Sequence, residues 1–435
     1  MDCHKIKLLL NGCQKYLGFN LFKKTIVYAL SSILSAAIPF ALLPILTRYL
    51  TPAEYGQIAM FSIFTTALSS LIGLSVHGAA NRRFFDEDVT DTNLASFNGN
   101  CFFILLFTTC FALLPLFFFD VYLSNYLGIP PIWIYFGVLN VFCSFILNLR
   151  LGQWQVRGKA ISYGALQITN SFFVLLLNLL FVILLKLGPD GSIYGIVLTS
   201  VIVGLISFFT LRNDKLVNFK YNREDINYAL SFGVPLIPHV LGGFLLLSVD
   251  RLIINKELGL EMTGIYMVAM NLGSALNIIF NSINKAYSPW LFANLKENIL
   301  DVKIKVVKNT YLYFTFLIIA AVLAYFTAPQ VLKLLAGERF HQAADVLPII
   351  IIGQIFLGMY FMVTNYIFYI RKTKYLSYIT ISSGMINVFF LLVLIPCYGI
   401  HGAALAFLIA NFNQFIVTWI VSATVYKMPW LLWKF

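Results

Sequence analysis

The sequence predicts an all-α polytopic membrane protein, with about twelve transmembrane helices in two six-helix halves around a central cavity. Composition is the first reason. Of 435 residues, 60% are hydrophobic and 11% charged, and mean hydropathy is +0.84, whereas a soluble domain carries about 25% charged residues. So few charges cannot cover a water-facing surface, so much of the apolar surface has to face lipid. Second, apolar runs of about 20 residues recur along the whole chain, each long enough for a ~30 Å hydrocarbon core at ~1.5 Å per residue. Third, the chain repeats itself. Tyr28-Ala29-Leu30-Ser31, Pro39, Pro44, Arg48, Gly56 and Ala59 answer to Tyr228-Ala229-Leu230-Ser231, Pro235, Pro238, Asp250-Arg251, Gly264 and Ala269. A later pair, Lys159 to Tyr163 and Lys374 to Tyr378, keeps the same order and leads to a glycine turn, Gly188 to Gly195 or Gly399 to Gly402. A duplicated membrane half with Pro-interrupted first helices marks a carrier whose site lies between the halves.

Taken in order, the first 24 residues are basic, with Lys5, Lys7, Lys15, Lys23 and Lys24 around Leu8 to Leu10. No small-residue cleavage site follows the short apolar run, which favours an interfacial helix over a signal peptide. The spans then fall at roughly 25–46, 57–79, 99–119, 130–149, 165–185, 193–211, 229–249, 263–284, 309–328, 347–369, 375–395 and 400–425. Pro39 and Pro44 in the first span, and Pro235 and Pro238 in the seventh, are expected kink and gating positions. The charged stretch 212–228 reads as the linker between an N-terminal half, 1–211, and a C-terminal half, 229–435. Trp290 to Lys308 reads as an amphipathic helix lying along the membrane surface. The longest outer loop is expected at about Pro329 to Val346. Trp430 and Trp433 suit an interfacial belt. None of the six cysteines has zinc-type or CxxC spacing, so they read as small apolar residues.

Charge sets the orientation. About 24 of the 30 Lys and Arg collect on one face of this topology and about 6 on the other, the positive-inside pattern. Both termini are therefore expected in the cytoplasm. The net charge of +12 is read as topology and as attraction for anionic lipid, not as a nucleic-acid surface.

No phosphate-binding GxxxxGK[ST] loop, HExxH helix or GxSxG elbow occurs, so neither an enzyme nor a nucleotide-driven pump is expected, and no metal or cofactor site is read. Uphill transport would have to draw on an ion gradient or a coupled pathway. His239 follows Pro238 in the seventh span, where a polar side chain facing lipid is costly, so it is expected to face a cavity or to bond across a helix interface. Asp250, 11 residues on, is expected on about the same helix face. Arg48 and Arg251 hold corresponding places at the ends of the first and seventh spans, and guanidinium groups bind phosphate bidentately. The plainer reading is snorkelling to headgroups or, for Arg251, pairing with Asp250 or Glu257. His77 and Lys285, with Arg82 and Arg83 at a cytoplasmic mouth, complete a cationic cavity, although each also satisfies the positive-inside rule alone. Asn277, Asn281 and Asn284 share one helix face, and either line a wet cavity or bond neighbouring helices.

The run Tyr228-Ala229-Leu230-Ser231-Phe232-Gly233-Val234-Pro235-Leu236-Ile237-Pro238-His239, then Ser248-Val249-Asp250-Arg251 and Gly264-Ile265-Tyr266, resembles the bacterial polysaccharide-transport family. That family includes the Wzx-type O-antigen flippases of the multidrug/oligosaccharidyl-lipid/polysaccharide exporter superfamily. Leu46 to Gly56, Arg371 to Lys374, and Ile395-Pro396 with Gly399 to Ala404 agree with it. The resemblance implies a twelve-helix flippase that turns a polyprenyl-diphosphate-linked oligosaccharide between leaflets through a cationic cavity, with other polysaccharide-assembly membrane proteins as partners. Drug exporters of the superfamily commonly place acids in the membrane, and the first span here has none. A multidrug or organic-cation antiporter is therefore the weaker alternative. A polymerase or glycosyltransferase of the same glycan pathway is weaker still.

Overall fold

A computed structural model describes residues 27, 30–35, 37, 38, 40–86, 90–297, 299–370, 372 and 374–430. The expectations for the N-terminal basic segment, Pro39, Arg371 and Trp433 lie outside those residues. Thirteen helices follow in chain order: α1 Leu30–Tyr49, α2 Pro52–Ser69, α3 Val76–Arg83, α4 Asp91–Leu127, α5 Pro131–Val156, α6 Ala160–Asn178, α7 Gly188–Asn213, α8 Arg223–Gly233, α9 Ile237–Leu247, α10 Val249–Glu297, α11 Leu300–Leu335, α12 Ala343–Tyr369 and α13 Lys374–Val425. A π-helical turn, Leu179–Leu184, prolongs α6. No strand occurs among the described residues.

Ten helical stretches are long and apolar enough to cross a membrane, among them α8 and α9 taken together. α13 reverses at Gly399 (φ 58, ψ −136), a conformation that L side chains rarely adopt, so it makes two crossings. α10 breaks at Gly259 (φ 85, ψ 176), and its first residues prolong the seventh span. With α2 counted as a further crossing, about twelve spans result, as composition and periodicity required.

Helix starts follow local chemistry. The Thr51 hydroxyl accepts from the Glu54 N–H, and the Glu54 carboxylate accepts from the Thr51 N–H at 2.7 Å, with Pro52 in the first turn of α2. Asn222 caps α8, its side-chain oxygen accepting from the Glu224 N–H at 2.9 Å, with Glu224 and Asp225 in the first turn. The outside of the bundle stays apolar. Phe107, Phe111, Phe117 and Phe118 on α4 and Phe316, Leu323 and Phe326 on α11 are all exposed, a belt that only lipid can cover.

Four expectations need correction. The seventh span bends at Pro235, where Val234–Leu236 forms a 3-10 turn, and it breaks a second time, unforeseen, at Ser248 (φ −138), which ends α9. The shared face inferred for His239 and Asp250 is therefore lost, and Asp250 is fully buried while His239 is exposed. The linker narrows to 214–222, because α7 runs to Asn213 and α8 begins at Arg223. Trp290 to Lys308 is no separate surface helix but the adjoining ends of α10 and α11, and the expected outer loop is mostly helix, since α11 passes through Pro329 to Leu335 and α12 starts at Ala343.

Two cores hold the bundle, and each borrows a helix end. The first joins α2–α7 residues such as Phe61, Trp133 and Ile193 and takes in Ala229 of α8. The second joins α10, α12 and α13 residues such as Tyr266, Ile350 and Phe407 and takes in Leu42, Leu43, Leu46 and Leu50 of α1. α9 sits on the second half, where the Asn387 amide donates to the carbonyls of Leu245 (3.0 Å) and Leu246 (3.2 Å).

Candidate substrate chamber

The turns carrying Arg82, Arg83, Arg157, Lys159, Arg212 and Lys215 gather at one end of the bundle, its basic end. At the opposite end α2 and α10 touch: the Asn271 amide donates to the Tyr55 hydroxyl at 3.0 Å, and Gly56 meets Gly264. Between this seam and the basic end, a cavity of about 310 Å³ opens among α2, α3, α5 and Val240 of α9.

Its lining mixes uncharged polar groups with the apolar side chains of Ile72, Val141, Phe145 and Val240. Thr65, Thr66 and Ser69 come from α2, and their hydroxyls donate to carbonyls of their own helix at 2.7–2.9 Å, which leaves the oxygens free to accept. α2 stops at Ser69, and the chain turns through Gly73, Leu74 and Ser75, all at positive φ. That turn brings Ser75 and His77 to the cavity wall, with the His77 ring edge-on to Phe145 at 5.5 Å and its Nδ1 buried without a hydrogen-bond partner among the described residues. From α5 come Asn140, Ser144 and Asn148, whose side chains make no hydrogen bond among the described residues. Among the described residues, no Asp, Glu, Lys or Arg lines this cavity.

Of the residues singled out in the sequence, His77 lines the chamber, and His239 is the exposed neighbour of Val240. Arg48 is exposed at the end of α1 away from the basic turns, and Lys285 is exposed on α10. Arg251 is buried. Its Nη1 donates to the Leu247 carbonyl at 2.8 Å and lies 3.6 Å from Asp250 Oδ1. Asp250 Oδ1 also accepts from the Arg251 N–H at 2.9 Å, while Oδ2 has no hydrogen-bond partner among the described residues. Arg82 is exposed, and Arg83 pairs with Asp86 at 3.0 Å. The structure thus does not gather these cations around one pocket. Pro44 lies within α1, Pro235 in the 3-10 turn, and Pro238 in the first turn of α9. The Asn face of α10 divides: Asn284 accepts from Asn365 of α12 at 2.7 Å, a helix-to-helix bond, and Asn281 donates to Asn277.

Asn140, Ser144 and Asn148 were not singled out in the sequence. Their signal was present: three polar residues at steps of four within an apolar span, a one-face spacing akin to the i, i+4, i+7 pattern that drew attention to Asn277–Asn284.

Near the basic end α8 is fastened to the first half. The Tyr228 hydroxyl donates to Asp86 Oδ2 at 3.0 Å, and Arg83 lies 5.1 Å above the Tyr228 ring. The Arg83 hydrogen bond holds the Asp86 carboxyl below the usual carboxylate range. Deeper in α5, Arg150 is buried, stacks 3.9 Å from the Trp154 ring and pairs with Asp214, which also lies 3.6 Å from Lys159.

A family model described as polysaccharide biosynthesis protein matches residues 21–295. Protein 1 of the Lsg locus of Haemophilus influenzae is 26% identical over 402 residues, which covers 88% of this chain and 95% of that protein. Among solved structures, the lipid II flippase MurJ in an inward closed conformation aligns with a TM-score of 0.69 at 14% identity, over 96% of this chain and 88% of that one. An inward-facing multidrug resistance MATE family transporter of the MOP superfamily aligns at 0.67 and 15%, over 94% of this chain and 96% of that one. At such identities the likeness shows the shared fold.

Proposed function

The chain belongs to the polysaccharide biosynthesis protein family, and from that premise we propose that it is a flippase for lipid-linked glycan. It would turn polyprenyl-diphosphate-linked oligosaccharide repeat units, of O-antigen or a related surface polysaccharide, from the cytoplasmic to the outer leaflet of a bacterial inner membrane. One observation carries the reading: the chamber beside the seam offers hydroxyls, amides and an imidazole, and no carboxylate. An organic cation in a low-dielectric cavity needs a counter-charge, whereas a glycan needs hydrogen-bond donors and acceptors in number. The charge asymmetry of the loops supports a cytoplasmic basic end, toward which the chamber lies. Ion coupling is part of the proposal, since no nucleotide-binding motif is present to drive uphill transport.

The test is deletion of the gene, with lipid-linked intermediates measured by leaflet. Complete repeat units accumulating on the cytoplasmic side, relieved by the wild-type gene, are expected. Incomplete units would point to a glycosyltransferase, and unchanged glycan with increased drug sensitivity would point to the antiporter.

A further inference from the structure

We infer that Asn140, Ser144 and Asn148 form a ladder that reads the uncharged sugar units of the cargo, and not its diphosphate; this rests on the flippase reading above. Steps of four residues put the three side chains on one face of α5, over about 12 Å of helix. Buried apolar residues of α5 lie around them, among them Val138, Val141, Phe145, Ile146 and Leu149. Asn148 is exposed and Asn140 and Ser144 are half-buried, and none of the three side chains hydrogen-bonds within the described residues, so all three are open to a partner in the cavity.

The chemistry across the cavity is complementary. Each Asn amide offers two N–H donors beside its carbonyl, while the α2 hydroxyls have already given their protons to the carbonyls of Ser62 and Thr66 and are left as acceptors. A sugar hydroxyl both donates and accepts, so it can bridge from the α5 amides to the α2 oxygens. The Phe145 and His77 rings supply an apolar patch for the C–H face of a ring, and the unpartnered His77 Nδ1 adds one more polar atom. A diphosphate would leave its charge unpaired here, because no Lys or Arg among the described residues lines this wall. The ladder is also confined to one half. α12, the fourth span of the second half, carries Ile352, Phe356 and Tyr360 at the same spacing, half-buried and with no amide among them.

The experiment uses the full chain in lipid nanodiscs, with its six cysteines replaced by alanine or serine and Ser144→Cys introduced. The rate of labelling by a hydrophilic maleimide is measured alone and with three probes: a mixture of neutral trisaccharides (maltotriose, mannotriose and tri-N-acetylchitotriose), inorganic diphosphate, and tetraethylammonium. The expected result is ready labelling, slowed at least about threefold by the trisaccharides alone. Asn140→Leu or Asn148→Leu should abolish that protection while leaving the gel-filtration profile unchanged, and Asn140→Gln should restore part of it. Protection by diphosphate and not by sugar would overturn the ladder while leaving the flippase reading standing. Protection by tetraethylammonium alone would overturn both. Failure of labelling, or of protection by every probe, would make the three residues packing groups and overturn the ladder.

Discussion

Gly56 of α2 and Gly264 of α10 meet backbone to backbone: a Cβ on Gly264 would collide with the Pro52 carbonyl and the Gly56 nitrogen, and one on Gly56 with the Leu260 carbonyl. Both are in helical segments, so glycine is needed here for closeness and not for its freedom of φ. This contact closes the end of the bundle away from the basic turns.

Widening that seam should open it. Gly264→Leu is expected to cost about 1–3 kcal/mol of stability by overpacking. It should also let a membrane-impermeant maleimide reach Ser144→Cys from the outer side, which the parent protein should not allow. Labelling rates in right-side-out vesicles, with and without the substitution, check both halves of this expectation.

Arg48 and Arg251 occupy like positions in the repeat but different surroundings. Arg251→Ala removes the guanidinium beside buried Asp250 and the bond to the Leu247 carbonyl, so a fall in thermal stability of about 2–4 kcal/mol is expected. Arg48→Ala touches an exposed residue and should leave stability within about 0.5 kcal/mol. If Arg48 meets the cargo's phosphate, export falls at matched membrane abundance, and Lys rescues only part of it, because the bidentate fork is lost. Melting curves alongside surface-glycan assays separate the two effects.

Asp214 gives a pH test. Its hydrogen bond with Arg150 holds its carboxyl below the usual carboxylate range, with Lys159 adding to the effect. A depressed native value contributes stability above the unfolded pKa of about 3.9, and that contribution is lost as pH falls through the lower native value. The melting-temperature gap between the wild type and Asp214→Asn in detergent should hold steady from about pH 7 to 5 and close below about pH 4. A gap that persists at acid pH would place the effect of the substitution outside this ion pair.

Orientation is testable with fusions. A C-terminal alkaline phosphatase should be inactive and a C-terminal green fluorescent protein bright, as the loop charges predict. An active phosphatase would invert the topology and, with it, the side from which the chamber fills.

Much of the fold was legible because hydropathy fixes where a chain crosses lipid, and prolines mark where a span cannot stay straight. The breaks at Pro235 and at the Gly399 turn follow from those rules. Rotation was not legible. An apolar span in a membrane has apolar neighbours on every side, lipid or protein, so periodicity does not say which face looks inward. This is why Asp250 was expected in the cavity and lies in a packed core, and why Asn148 passed unnoticed. The second break, at Ser248, carries no proline and left no mark in the sequence.

Because α8 is seated in the first core through Ala229 and tied there by Tyr228 and Asp86, the first six spans are incomplete when their own last residue has been made. During synthesis, the groove that receives α8 stays open until the ribosome has delivered the linker and another 11 residues. The end of α1 that carries Leu42 to Leu50 waits longer, since its seat is built from α10, α12 and α13. Severing the chain at 214–222 would therefore not release two self-sufficient pieces. The cell would have to make both fragments together, and each would need to find the other before quality-control proteases found its empty seat.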